Sequence, residues 1–234
     1  MPTLRLQNAT KHYRLGWRRK HEAVSDLTLT IQQGEFVFVV GSSGAGKSTL
    51  LSLLSGTIAS QKGTAHLDKI NLRCWLSRHR GRVRKTIGIV CQEDTLSRRL
   101  TIRDNLAAAT RIGLARFAPE ERIDEKVSKA LGIVGLPGVE HRYPVELSPG
   151  ERRRAELARA MINSPCILIL DELTTNLDED TGWDLLQVLL EINRRGTTVV
   201  MSTQSSSFVN ILRRRVITLR DGKIVGDVQR GRYG

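Results

Sequence analysis

The stretch "EFVFVVGSSGAGKSTLLSLLSG" (Glu35–Gly56) determines the fold, because it joins three kinds of local structure in a fixed order. The segment Glu35–Val40 is a nearly continuous apolar run, which is typical of a buried β-strand. A glycine-rich loop follows it. The segment Lys47–Gly56 then places apolar residues at helical spacing and ends in a glycine stop. A strand, a loop and a helix in this order predict the first unit of an α/β domain.

The loop "GSSGAGKST" matches the spacing G-x-x-x-x-G-K-[ST] of a phosphate-binding loop. Its glycines let backbone N–H groups turn inward around a phosphate, and the start of the following helix adds partial positive charge. Lys47 can reach the β- and γ-phosphates of a nucleotide, and Ser48 can ligate Mg²⁺. The flanking strand and helix make a chance glycine-rich turn a poor explanation. The residues expected to hold the nucleotide here are Gly41, Ser42, Ser43, Gly44, Ala45, Gly46, Lys47, Ser48 and Thr49.

A second apolar strand, "CILIL" (Cys166–Leu170), ends in two acids. A phosphate loop needs an acid at the end of a neighbouring strand to hold the Mg²⁺ shell, and Asp171 fits that place. Glu172 follows directly and can polarise an attacking water as a general base. A surface acid is the alternative explanation of Glu172 alone, but the nearby phosphate loop favours the catalytic one.

The rest of the chain alternates strands with helices, which predicts a mostly parallel core sheet. Near the N-terminus, "LRLQNA" and "LTLTI" alternate apolar and polar residues as half-buried strands do, and we expect an antiparallel β region there. Two amphipathic helices between about 101 and 135 form a helical insertion. We therefore expect one domain over 1–234, with an α/β core at about 1–92 and 160–234 and a helical subdomain at about 95–158.

Composition places the chain among globular proteins, with 40% hydrophobic and 26% charged residues among 234. No apolar run approaches the ~18 residues of a membrane span, and the N-terminus lacks an apolar leader, so we expect a cytoplasmic chain unless a partner tethers it. Three cysteines, Cys74, Cys91 and Cys166, have no metal-ligand spacing.

The formal net charge of +13 predicts either an anionic neighbour or a set of solvated surface stripes. The neighbour could be nucleic acid, nucleotide phosphates or an acidic membrane face. Aromatic residues make up only 4% and do not interleave with the basic runs, which weakens the case for stacking on single-stranded nucleic acid. The basic clusters are Trp17–Lys20, Arg78–Lys85, Arg152–Arg154 and Arg213–Arg215.

The stretch "ELSPGERRR" (Glu146–Arg154) predicts the start of a helix. Ser148 suits the N-cap, Pro149 suits the first helical position, and Glu151 completes a capping box. A cap alone does not explain why the stretch follows a helical insertion and precedes the strand that carries the two acids.

In their order along the chain, these motifs resemble those of the ABC-type ATPases, and the resemblance covers almost the whole chain. The resemblance implies a P-loop ABC ATPase fold, ATP and Mg²⁺ as cofactors, and hydrolysis of ATP to ADP and phosphate. The matching motifs are Tyr13, the phosphate loop, "CQED" with Gln92, the helical insertion, "ELSPGE", "LILDEL" and "NLD" at Asn176–Asp178.

The same resemblance assigns roles to individual positions. Tyr13 would stack on adenine, and Gln92 would touch Mg²⁺ or the attacking water and report to a membrane partner. Ser148 and Gly150 would contact the γ-phosphate held by the other subunit of a head-to-tail homodimer, and Asp178 would couple its two sites. The implied catalytic residues are Glu172, Gln204 and Gln92, and the implied metal ligands are Ser48, Gln92 and Asp171.

Within the family, "EINRRGTTVVMST" and the tail "GKIVGDVQRGRYG" look most like the FtsE group of cell-division ATPases, which work with a membrane protein of the FtsX type. This likeness implies an ATPase on the inner face of the cell membrane. Two alternatives stay open: an ATPase subunit of a lipoprotein- or macrolide-type exporter, and an ATP-gated adaptor that hydrolyses ATP weakly or not at all. Nucleic acid is disfavoured as a partner, because the chain lacks the coiled coils, zinc modules or second ATPase domain of such relatives.

The family pattern is broken in four places, and the breaks in the signature and switch regions predict a protein that binds ATP well and hydrolyses it slowly. Pro149 replaces the first glycine of the signature and removes one N–H donor. Gln204 stands where the family usually has a histidine, and a glutamine cannot carry that positive charge. Leu173 and Thr175 replace a proline and a glycine after the catalytic acid, and Cys91 replaces a common aromatic residue.

Overall fold

The computed structural model describes residues 3–15, 19–72, 80–110 and 119–233. Parts of three sequence features lie outside the described residues. They are Trp17 and Arg18 of the first basic cluster, Arg78 and His79 of the second, and 111–113 of the first amphipathic helix, together with Cys74.

Ten strands and seven α-helices are found in the described ranges. The strands are β1 (Leu4–Leu15), β2 (Arg19–Ile31), β3 (Phe36–Val40), β4 (Lys62–Leu67), β5 (Ile70–Asn71), β6 (Ile87–Val90), β7 (Ile167–Leu170), β8 (Thr198–Ser202), β9 (Arg215–Arg220) and β10 (Lys223–Val228). The helices are α1 (Lys47–Leu54), α2 (Arg80–Thr86), α3 (Ile102–Thr110), α4 (Glu120–Ile133), α5 (Pro149–Met161), α6 (Glu179–Arg194) and α7 (Ser206–Leu212).

The main sheet has six strands in the order β10-β9-β3-β8-β7-β6. Neighbours from β9 to β6 pair in parallel, and only β10 runs antiparallel, joined to β9 by a turn at Asp221 and Gly222. Every residue of β3, β7 and β8 is buried, which explains why their sequences are continuous apolar runs rather than alternating ones. The predicted mostly parallel α/β fold is confirmed.

The N-terminal region is an antiparallel sheet in the order β2-β1-β4-β5, as predicted. Its first two strands are longer than the alternating patterns Leu4–Ala9 and Leu27–Ile31 indicated. They continue as a hairpin arm in which Tyr13 pairs with His21 and Arg14 with Lys20. Tyr13 and Arg14 are exposed on this arm, so no buried face imposes an apolar–polar alternation on the sequence there.

Helices α3, α4 and α5 pack around a buried apolar cluster that includes Leu106, Val127, Leu131 and Leu157. Arg103 of α3 links two of these helices, because its guanidinium donates to Asp124 at 2.6 Å and to Glu120 at 2.7 Å on α4. Pro119 is the N-cap of α4, and Glu120 is its first helical residue. The proposed division into an α/β core and a helical subdomain stays a prediction. Within the described ranges, no helix has both the length and the apolar character that a membrane span requires.

Candidate active site

Four parallel strands bring the predicted functional residues to one edge of the main sheet. Strand β3 leads into Gly41, β6 into Gln92, β7 into Asp171 and Glu172, and β8 into Gln204. Pairing continues to the strand ends, since the Asp171 N–H donates to the Val90 carbonyl at 2.9 Å. The carboxyl edge of a parallel sheet is where open α/β folds bind their ligands.

The phosphate loop is fixed by contacts to the antiparallel sheet and to the β9–β10 turn. Gly46 has φ +101, and a Cβ there would lie 2.6 Å from the Ala23 carbonyl oxygen, so only glycine fits. The Gly222 N–H donates to the Ala45 carbonyl at 3.1 Å. These contacts hold the loop in a turned conformation at the start of α1.

Lys47 is buried at the first position of α1, and its ammonium group is held at the loop. Its Nζ donates to the carbonyl oxygens of Gly41 at 2.9 Å and Ser42 at 3.1 Å. The same Nζ lies 3.5 Å from Oε1 of Glu172, whose side chain is 6% exposed. Because buried charges are costly unless paired, this contact offsets part of the cost of burying the two groups.

Glu172 is the centre of a small polar network. Gln204 Nε2 donates to its Oε1 at 2.7 Å, and Gln92 Nε2 donates to its Oε2 at 3.1 Å. The Thr175 hydroxyl donates to Oε2 at a longer 3.4 Å. Both carboxylate oxygens therefore accept from amide groups that belong to the ends of two other strands.

Ser202, at the end of β8, fixes the two adjacent acids. Its hydroxyl donates to Asp171 Oδ1 at 2.6 Å and accepts from the Glu172 N–H at 2.8 Å. Glu172 has φ +48, in the left-handed region that residues other than glycine seldom adopt. Strained backbone of this kind persists where surrounding contacts hold it, and it concentrates at functional sites.

A cleft of about 290 Å³ opens beside this network. It extends from the tyrosine arm to the phosphate loop, and its wall includes several of the predicted nucleotide residues. His21 and Ala23 of β2 also line it, and no sequence pattern predicted them. The lining residues are Tyr13, His21, Ala23, Ser43, Gly44, Gly46, Lys47, Ser48, Thr49, Gln92, Glu172 and Gln204.

The predicted metal ligands Ser48, Gln92 and Asp171 offer a hydroxyl, an amide and one carboxylate. Oxygen donors with few carboxylates suit Mg²⁺, which is usually bound together with substrate phosphates rather than by a protein cage. The described part of the chain contains no group of three or more His, Cys, Asp or Glu side chains that could hold a metal by itself. The residues present fit the ion.

Ser148, Gly150 and Asp178 lie outside that cleft. Ser148 is the N-cap of α5, and the predicted capping box is present: the Glu151 N–H donates to the Ser148 hydroxyl at 3.2 Å, and the Ser148 N–H donates to Glu151 Oε2 at 2.8 Å. The hydrogen bonds from Ser148 lower the pKa of the Glu151 carboxyl. Pro149 occupies the first helical position, as expected.

Asp178 is the N-cap of α6 and accepts from the Thr181 N–H at 2.9 Å, which lowers the pKa of Asp178. Gly150 at the start of α5 packs against the same turn, because a Cβ at Gly150 would lie 2.6 Å from Thr181 Cγ2. The signature and the "NLD" motif therefore form one surface, separate from the phosphate loop of the same chain.

Comparisons with known proteins agree with this geometry. The family model "ABC transporter" matches residues 24–175. The chain is 39% identical over 229 residues to the cell division ATP-binding protein FtsE of Mycobacterium tuberculosis, covering 98% of this chain and 97% of that one. It is 39% identical over 213 residues to FtsE of Bacillus subtilis, with 91% and 92% covered.

The fold also matches a solved ABC cassette. The structure is the dimeric post-hydrolysis state of the ATP-binding cassette MJ0796 bound to ADP and Pi. It superposes with a TM-score of 0.88 at 29% identity, covering 98% of this chain and all of that one. The predicted resemblance to ABC-type ATPases, and within them to the FtsE proteins, is confirmed. The chain belongs to the ABC transporter family and is one of its ATPases.

Proposed function

We propose that two copies of this chain close head to tail over two ATP molecules, and that closure moves an integral membrane subunit of the FtsX type. The observation that carries the proposal is the division of the site. The cleft contains the phosphate loop, Tyr13 and Glu172, whereas Ser148 and Gly150 lie on a separate surface. The FtsE names of the relatives and the dimeric state of the solved cassette support this arrangement.

The chemistry follows from the positions of the charged groups. Lys47 would exchange its bonds to loop carbonyls for bonds to the β- and γ-phosphates, and Tyr13 would stack on the adenine. Ser48, Gln92 and Asp171 would hold Mg²⁺, which neutralises charge on the phosphates when bound. Glu172 would accept a proton from the attacking water. Its carboxylate lies at the cleft wall, and its Oε1 is 3.5 Å from Nζ of Lys47, the group that would bind the phosphates.

The signature would bind the γ-phosphate of the opposite copy with few donors. Pro149 has no N–H, the Glu151 N–H bonds the Ser148 hydroxyl, and the Arg152 N–H bonds the Ser148 carbonyl. Among the N–H groups of residues 149–152, only the N–H of Gly150 therefore remains to bind the phosphate. The hydroxyl of Ser148 can donate as well. The arrangement supports binding with fewer contacts than a signature with a glycine at 149.

Slow turnover is the second part of the proposal, and Gln204 supports it. Its amide donates to Oε1 of Glu172 while Gln92 donates to Oε2, so one lone pair on each carboxylate oxygen is already occupied when the attacking water arrives. A glutamine also brings no positive charge to the transition state, where fixed charges have their largest effect. We therefore expect hydrolysis to slow more than ATP binding weakens.

The test is an ATPase assay on the wild type, Gln204→His and Pro149→Gly, with ATP affinity measured in parallel. We expect each variant to raise kcat several-fold while the Kd for ATP changes little. If neither variant raises kcat, the departures are neutral and the proposal of slow turnover is wrong.

Two other roles are distinguished by adding the membrane subunits. An adaptor gated by ATP binding would dimerise with ATP and show weak or no turnover even with its partner. The altered residues Pro149 and Gln204 favour this adaptor role. Co-purification with FtsX-type subunits and with lipoprotein- or macrolide-exporter subunits, with and without ATP, decides between division and export. We expect ATP-dependent retention of the FtsX-type subunit at the inner face of the cell membrane.

A further inference from the structure

The second turn of α5 is bonded to the loop that carries Gln92. This loop, residues 91–96, follows β6 and is far from α5 in sequence. We infer that Arg153 and Glu156 are positioning residues that set the place of Gln92 and link it to the signature at the start of the same helix. The inference rests on the proposed function, in which Gln92 contacts Mg²⁺ or the attacking water.

Arg153 binds the backbone of the loop at two successive carbonyl groups. Its Nη2 donates to the Gln92 carbonyl at 2.6 Å, and its Nη1 donates to the Cys91 carbonyl at 3.3 Å. A planar guanidinium holds such a pair in a fixed orientation, which an ammonium group does not. The backbone of Gln92 is thereby fixed from α5, while its side chain reaches Glu172.

Glu156 completes the link from one turn further along. Its side chain is 1% exposed, and its Oε2 accepts from Arg153 Nη1 at 2.7 Å. Its Oε1 accepts from the Thr95 N–H at 2.7 Å and from the Thr95 hydroxyl at 3.2 Å. Arg159 donates to the Thr95 carbonyl at 2.7 Å, so both backbone groups of Thr95 are held by α5.

Stability alone does not account for this arrangement. A buried ion pair is often no more stabilising than apolar residues of the same volume, whereas it does fix groups in one geometry. Here the groups fixed are the loop and the helix that begins with Ser148 and Gly150. Because α5 is a rigid element, a phosphate bound at its start in the closed dimer would move the loop that positions Gln92 in the same copy.

The test compares Arg153→Met and Glu156→Gln with the wild type, and uses Arg195→Met as the matched control. Arg195 bonds Glu191 on the exposed end of α6, so the control removes an arginine ion pair that has no contact with the loop. Melting temperature establishes that each variant folds. We expect kcat of the two α5 variants to fall about 10- to 100-fold, since small misplacements cost that much, with the Kd for ATP within about twofold. The control should match the wild type.

A double-mutant cycle separates positioning from a general loss of structure. In the Gln92→Ala background, Arg153→Met should cause no further loss of kcat, because its effect passes through Gln92. An equal fold-loss in both backgrounds would overturn the inference.

Hydrogen exchange of residues 91–96 in the nucleotide-free protein gives a second readout that needs no turnover. Both α5 variants should accelerate exchange at the Thr95 N–H, and unchanged exchange would also overturn the inference. If the wild type fails to hydrolyse ATP, the proposed function fails, and this exchange measurement still decides whether the link exists.

Discussion

Replacing Gly150 with alanine should destabilise the protein through one identifiable contact. The added Cβ would lie 2.6 Å from Thr181 Cγ2, about 1 Å closer than the ~3.5–4.0 Å of an ordinary carbon contact. Forcing an extra methyl group into a packed site costs about 1–3 kcal/mol. Alanine is the better helix former by about 0.5–1 kcal/mol, so the expected net loss lies between about 0 and 2.5 kcal/mol and is centred near 1 kcal/mol.

Thr181→Ser is the matched partner variant, because the other two atoms near the new Cβ lie at 3.9 and 4.0 Å and only Cγ2 clashes. In that background, Gly150→Ala should be neutral or stabilising by up to about 1 kcal/mol. Urea unfolding of the four proteins gives the coupling free energy. An equal loss of stability in both backgrounds would refute the contact. ATP-dependent dimerisation should weaken in the single variant, since the strain falls on the turn that Asp178 caps.

Three further changes follow from the site. Ser202→Ala should lower the free energy of unfolding by about 1–3 kcal/mol and reduce kcat, because it leaves the Glu172 N–H without its acceptor; unchanged urea unfolding would contradict this. Tyr13→Ala should weaken ATP binding about tenfold with little change in kcat, which equilibrium titration measures, since base stacking on an aromatic ring contributes about 1–3 kcal/mol. Folding lowers the pKa of Glu151, so its stabilising effect is full above the unfolded pKa and is lost as pH falls through the folded one. Unfolding at acid pH should therefore show Glu151→Gln losing less stability than the wild type, and equal losses would argue against the capping box.

The local features of the fold were predictable from the sequence. Each element of Glu35–Gly56, and the capping box of Ser148 and Glu151, depends on residues that are close in sequence. Short sequence patterns are therefore enough to predict them. The strands that lead into the candidate site residues were also predictable, because strands buried on both faces are continuous apolar runs.

Features that depend on distant pairing were not predictable. The register of the β1–β2 arm places His21 opposite Tyr13, and neither strand shows apolar alternation there. The arginine cluster at Arg152–Arg154 looked like a solvated or anion-binding stripe. In the structure Arg152 donates to the Leu147 carbonyl at 2.7 Å, Arg153 to the loop after β6, and Arg154 to the Val134 carbonyl at 3.1 Å. Composition cannot distinguish an arginine that binds solvent from one that binds a distant backbone carbonyl.

The central claim is that the site is divided between two copies, and the mass of the Glu172→Gln variant tests it most directly. Removing the proposed base should leave ATP binding intact and prevent hydrolysis, so the closed state accumulates. Light scattering after gel filtration should give the mass of one 26.2 kDa chain without nucleotide and twice that mass with saturating ATP and Mg²⁺. A variant that binds ATP and remains a monomer would contradict the account.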